Sequence, residues 1–225
     1  MSKRKLTLRT LEYGEEADIR PLHQLIDSIR ATNPGALPHW PNYWLGCALL
    51  ERNVAAVENG LVAIGQNPIS LGDSVEFNRP FIVGILARMT NDGAGAQAAF
   101  TAARAEQEKI VQAQPNFAQG LVFLGLIDAG LGRREDALRE GRRAVELLPV
   151  EKDALEGVIV AKYFAIIAAW IGEKDLACQQ LDSMIRRPSA LCYGDLKLLP
   201  FWEPLRGDPR FEKIVEEAKQ PVALK

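Results

Sequence analysis

The feature that most restricts this chain is a small residue returning at nearly constant spacing: Ala56, Ala96, Ala137 and Ala177 lie 40, 41 and 40 positions apart. Seven residues after each stand Ala63, Ala103, Ala144 and Met184, and twelve before each stand Trp44, Gly84, Gly125 and Ala165. A spacing of seven keeps two residues on one face of a helix, and a stripe of side chains this small lets a second helix come close. Pro68, Pro115, Pro149 and Pro188 follow these pairs. Proline ends a helix because it lacks the amide proton and clashes with the preceding turn. A period of this length marks stacked supersecondary units, each too small to bury its own apolar face.

Gly and Pro divide the chain into helix-length pieces, and alternating Val, Ile and Thr are almost absent, so the expected fold class is all-α. The stretch GLGRREDALREGRRAVELLP, residues 130–149, shows what such a helix is for. Ala137, Gly141 and Ala144 form one small stripe, while the five arginines are matched by Glu135, Asp136, Glu140 and Glu146. That mixture reads as a solvated outer wall, not a basic patch. A net charge of -2 and a pI near 5.8 supply no field for phosphate backbones, so no nucleic-acid partner is expected. No run approaches the roughly 18 apolar residues of a membrane span, and the basic start MSKRKLTLRTLE has its apolar residues interrupted by polar ones. Cys47, Cys178 and Cys192 are odd in number and scattered, which argues against a disulfide framework or zinc knuckle and for a reducing, cytoplasmic setting.

The clearest unit is residues 118–151, AQGLVFLGLIDAGLGRREDALREGRRAVELLPVE, with Leu121, Leu124, Gly125, Gly132, Ala137, Ala144 and Pro149 in register. It resembles a tetratricopeptide repeat, in which small residues sit where helices A and B meet and a proline follows helix B. Units 158–190, 77–115 and 37–68 are similar to it in decreasing degree; in 77–115 the second helix reads about two turns longer. The tail YGDLKLLPFWEPLRGDPRFEKIVEEAK resembles the segment closing tetratricopeptide regions of bacterial signalling proteins such as serine/threonine kinases, nucleotide cyclases and winged-helix regulators. The resemblance implies a right-handed α-α superhelix of about four helix pairs over residues 37–192. A helical segment, 1–36, precedes it, and a capping segment and helix, 193–225, close it. Asp208 before Pro209 marks the start of the last helix.

The same resemblance assigns roles. Helix A of each pair lines a concave face, which places Leu45, Ile85, Leu126 and Ile166 at equivalent positions, with Phe81, Val122 and Lys162 one turn earlier and Arg88, Met89, Gln119 and Trp170 further round. These residues are the expected groove for a partner protein or peptide, Arg88 and Lys162 orienting an acidic group. Two alternatives stay open: the apolar column packs on neighbouring helices, or FWEPL at 201–205 occupies it. Gly84, Ala96, Ala103, Gly125, Ala137, Ala144, Ala165 and Ala177 are the expected packing positions. No catalytic residue, metal site or cofactor is expected. His23 reads as a helix-surface residue and His39 as a loop residue, both distant in sequence from the cysteines, and GAGAQAAF at 93–100 lacks a preceding strand and a phosphate-reaching lysine. The expected function is a non-catalytic protein-binding scaffold, with self-association open. The alternatives are a regulatory or sensor module of a larger bacterial signalling protein and, more remotely, a small helical enzyme.

Overall fold

Apolar runs separated by Asn, Asp and Gly become helices with built-in starts and stops. The computed structural model describes residues 13–33, 41–65, 67–185 and 191–220. The basic start, Pro34, His39 and Pro188 lie outside them. Among the described residues, the helices from Arg20 onward are, in chain order, α1 (Arg20–Thr32), α2 (Pro41–Leu50), α3 (Val54–Ile64), α4 (Arg79–Met89), α5 (Gly93–Ala113), α6 (Ala118–Gly130), α7 (Arg134–Leu147), α8 (Glu156–Trp170), α9 (Lys174–Ile185), α10 (Tyr193–Leu198) and α11 (Pro209–Glu217). A 3-10 helix, Pro200–Leu205, lies between the last two. Among the described residues no helix is long and apolar enough to cross a membrane.

One helix ending recurs four times. Arg52, Asn91, Gly132 and Gly172 all have left-handed backbone, with φ of 55°, 58°, 73° and 83°. Each donates its N–H three residues back, and the next residue donates five back, as in Arg133 N–H to the Asp128 carbonyl at 2.9 Å and Glu173 N–H to Ala168 at 2.8 Å. This motif satisfies the carbonyls a helix end leaves over, and glycine adopts its left-handed residue at least cost. In the first two pairs the following helix opens on a side-chain cap: Asn53 and Asp92 accept from Ala56 N–H and Gly95 N–H at 3.1 and 2.9 Å. Asn78 does the same for α4, accepting from Phe81 N–H at 3.1 Å.

Helices therefore pack as consecutive pairs: α2 with α3, α4 with α5, α6 with α7, and α8 with α9. The second helix of each pair also packs on the next first helix, and α6 lies against α8. Small residues set the approach. A β-carbon on Gly125 would sit 3.0 Å from the Ala137 carbonyl oxygen, and one on Gly84 would sit 2.6 Å from the Phe100 ring. Ala96, Ala103, Ala137, Ala144, Ala165 and Ala177 are all buried. The first unit departs from this register. Ala63 is exposed, and Gly60 takes the close contact, a β-carbon there meeting Leu45 at 3.0 Å. Trp44 is too large for that role and instead packs beside α1, on a small separate core of Leu22, Ile26, Ile29 and Cys47.

The α5 helix has 21 residues, against 14 for α7 and 12 for α9. A two-stranded antiparallel hairpin, β1 (Ile69–Ser70) and β2 (Glu76–Phe77), pairs Ile69 with Phe77 and Ser70 with Glu76. No strand is legible in this segment of the sequence. Its two-residue strands are too short to leave an alternating pattern.

Candidate functional site: the inner face of the helix pairs

The first helices carry the side chains expected to form a groove, and the structure buries them. Leu45, Phe81, Val122, Leu126 and Ile166 are fully inaccessible and Ile85 is 3% exposed. Two segments of the same chain pack on Phe81 and the aromatic rings beside it. From the hairpin, Phe77 stacks on Phe81 with ring centroids 5.1 Å apart and meets Phe123 edge-on at 5.2 Å. From the 3-10 helix, Phe201 lies edge-on to Trp170 at 5.6 Å and to Phe81 at 6.1 Å, while Trp170 Nε1–H donates to the Phe201 carbonyl at 2.8 Å. An open apolar column is thus replaced by a closed aromatic core. The reason is energetic: burying a side chain of this size is worth about 1.5–3 kcal/mol, and Phe201, Trp202 and Leu205 are all buried.

Lys162 marks the polar centre of this closure. Its Nζ donates to Asp73 Oδ2 at 2.6 Å, and Tyr163 Oη–H donates to the same oxygen at 3.0 Å. Asp73 also accepts from Val75 N–H at 3.1 Å through Oδ1, and its carbonyl accepts from Ser70 Oγ at 2.8 Å, so the hairpin loop is tied at several points. Burial alone would lower the lysine's pKa, but the charges of Asp73 and then Asp195 outweigh it and the value is raised. Burial, reinforced by Asp73, likewise pushes the Tyr163 phenol up. Nearby, Tyr13 pairs with Asp195, and burial beside that carboxylate drives the Cys192 thiol up to about 12. A lysine held protonated is neither a nucleophile nor a general base at neutral pH. Its chemistry here is structural: the acidic group expected of a partner is supplied by Asp73 of the same chain.

The remaining groove positions lie at the rim. Arg88 is exposed, its guanidinium 4.1 Å above the Trp170 ring, with Met89 half-buried beside it in sequence. Gln119 donates through Nε2 to Glu156 Oε2 at 3.0 Å, joining α6 to α8. On the outer wall, Asp136 accepts from Arg133 and pairs with Arg139, both at 2.6 Å, and these contacts hold its carboxyl below the usual range. A shallow depression here, of about 650 Å³, is lined by Glu135, Arg139, Arg142, Arg143 and Glu146 among others, so both signs of charge alternate along it.

The fold also gathers residues that stand apart in the sequence. His23 on α1 reaches Glu51 in the turn just after α2, Nδ1 to Oε1, at 2.6 Å, and donor atoms of His23, Cys47 and Glu51 lie within 4.8 Å of one another. The expectation of no ligand cluster rested on their distance in sequence. The signal that could have revealed them is the one-turn spacing of His23 with Asp27 and of Cys47 with Glu51. No protein-family model matches the chain, and no curated protein or solved structure is significantly similar to it.

Proposed function

We propose that the chain is a non-catalytic, cytoplasmic protein-interaction module of tetratricopeptide type, a right-handed α-α superhelix of about four helix pairs. The observation carrying this reading is the fourfold helix ending at Arg52, Asn91, Gly132 and Gly172, combined with the packing of each second helix on the next first helix. Repetition of one turn and one interface is what a stacked array requires. The partner is a protein or peptide bearing an acidic side chain, and it docks at the rim around Arg88, Met89 and Trp170.

Magnitudes favour the rim over the column. Displacing Phe201, Trp202 and Leu205 would cost roughly 5–9 kcal/mol at about 1.5–3 kcal/mol each. A micromolar complex supplies about 8 kcal/mol in total. A guanidinium lying over an indole needs no such displacement and presents charge beside an apolar plate.

Peptide display against the purified chain tests this. Enrichment of acidic peptides whose affinity falls roughly tenfold, about 1.4 kcal/mol, in Arg88→Glu with unchanged circular dichroism supports the rim. Absence of enrichment, or binding indifferent to Arg88→Glu, overturns it.

A further inference from the structure

Helices α1 and α2 meet over the small core of Leu22, Ile26, Ile29 and Cys47. At its edge, His23 and Asp27 project one turn apart from α1, a spacing that aligns side chains on one helix face, and Glu51, just past the end of α2, stays one turn from Cys47 through its N–H bond to the Cys47 carbonyl at 3.0 Å. The imidazole is held at both nitrogens: Nδ1 lies 2.6 Å from Glu51 Oε1, and Nε2 lies 2.9 Å from Asp27 Oδ2. Asp27 is itself fixed by Arg30 at 2.6 Å, and the Arg30 guanidinium lies 5.7 Å from the centre of the Trp44 ring. Burial, with the negative charges of Glu51 and Asp27, raises the Cys47 thiol to about 12 despite the opposing charge of Arg30.

Imidazole, thiol and carboxylate are three donors of one kind of site. At zinc–nitrogen and zinc–oxygen distances of about 2.0–2.2 Å and a zinc–sulfur distance of about 2.3 Å, donors of a tetrahedral ion lie roughly 3.3–3.6 Å apart. The three donor atoms here lie within 4.8 Å of one another, and binding requires the close contact of His23 and Glu51 to open to admit the ion. Cys47 is buried while the His23 side chain is 44% exposed, so one side of the cluster faces solvent.

We propose that His23, Cys47 and Glu51 bind a divalent, borderline-soft transition-metal ion, zinc foremost, with Asp27 orienting His23 from its far nitrogen and water completing the coordination. The set selects against magnesium and calcium, which prefer oxygen donors alone. The carboxylate on the far nitrogen fixes the tautomer, leaving Nδ1 for the metal. On binding, the Cys47 S–H bond breaks, a metal–sulfur bond forms and the proton passes to solvent; an imidazolium proton, where present on Nδ1, leaves in the same way. The ion would clamp α1 to the first helix pair.

The test is titration of the full, reduced, metal-free chain with Co²⁺ as the optical probe. The expected result is one equivalent bound per chain, with a sulfur-to-cobalt charge-transfer band, bleached by one equivalent of Zn²⁺ and unaffected by excess Mg²⁺. Cys47→Ser removes the band, whereas Cys178→Ser with Cys192→Ser keeps it. Glu51→Gln and His23→Gln weaken binding tenfold or more, and Asp27→Asn does so by about ten- to a hundredfold. Glu51 and Asp27 lie outside the small apolar core, so their variants carry the test should Cys47→Ser fail to fold. No charge-transfer band at one equivalent, a band that survives Cys47→Ser, or affinity unchanged by Glu51→Gln and Asp27→Asn overturns the proposal and leaves His23 as a hydrogen-bonded bridge between two carboxylates.

Discussion

The same substitution, glycine to alanine, should act with opposite signs at two helix positions. At Gly84 in α4 the new methyl would lie 2.6 and 2.7 Å from two carbons of the Phe100 ring. Ordinary carbon contacts are about 3.5–4.0 Å, so ring or helix must retreat by roughly 1 Å. The ring has nowhere to go: a β-carbon on Gly130 would meet it at 3.0 Å from α6, and Phe81 and Trp170 flank it at 5.7 and 6.3 Å. Overpacking of this kind costs about 1–3 kcal/mol. At a site this confined the cost falls in the upper half of that range, about 2–3 kcal/mol, and alanine's helix preference returns about 0.8–1 kcal/mol, leaving a net loss of about 1–2 kcal/mol. Among the described residues no atom lies within 4 Å of a β-carbon on Gly46 in α2, so there the helix preference acts alone. For a chain of this length 1 kcal/mol moves the midpoint by about 2–4 °C. Thermal melts followed by circular dichroism should therefore show Gly84→Ala falling by roughly 2–8 °C and Gly46→Ala rising by roughly 2–4 °C. A Gly84→Ala midpoint at or above wild type would refute the close approach of α4 and α5.

Asn78→Ala removes both the cap of α4 and the 3.0 Å donation from Nδ2 to the Ala103 carbonyl, and urea titration should record a loss of about 1–2 kcal/mol, with Asn78→Asp intermediate because it keeps the cap. Asp73→Asn strands the Lys162 ammonium and should cost about 3–5 kcal/mol, most of it recovered when Lys162→Met is added; equal losses in the single and double variants would count against the pair. Because the folded-state pKa of Lys162 is raised, its contribution is complete below the unfolded value of about 10.4 and is lost as pH rises through the folded one, so alkaline urea titrations should show a decline that Lys162→Met flattens. Phe201→Ala should cost about 3–5 kcal/mol and shift tryptophan emission toward that of exposed indole; unchanged emission and stability would mean that Phe201 does not close the inner face.

Helical character was readable because helix stops are written locally, in prolines, glycines and caps such as Asp208, which accepts from Arg210 N–H at 3.0 Å with Pro209 at the first helical position. Ala96, Ala103, Ala137, Ala144 and Ala177 were visible for a related reason: a missing side chain at a close approach leaves a periodic trace. The covering of the inner face left no such trace. An apolar stripe looks alike whether solvent, a partner or a distant part of the chain lies over it, and Lys162 meets Asp73 across 89 positions of sequence. Buried Asp128, paired with Arg104 at 2.8 Å and Arg133 at 3.1 Å, was hidden for the same reason. In the first unit, the register assigned to Trp44 and Ala63 fails because bulk at position 44 moves the close contact to Gly60 and Leu45.

The chain fills its own face of first helices with Phe77 and Phe201. A proton NMR measurement on the Trp170 indole addresses this directly. Its N–H should exchange slowly with water and show strong cross-relaxation to the Phe201 ring and backbone. An indole N–H exchanging as freely as that of an exposed tryptophan, without contact to Phe201, would contradict it.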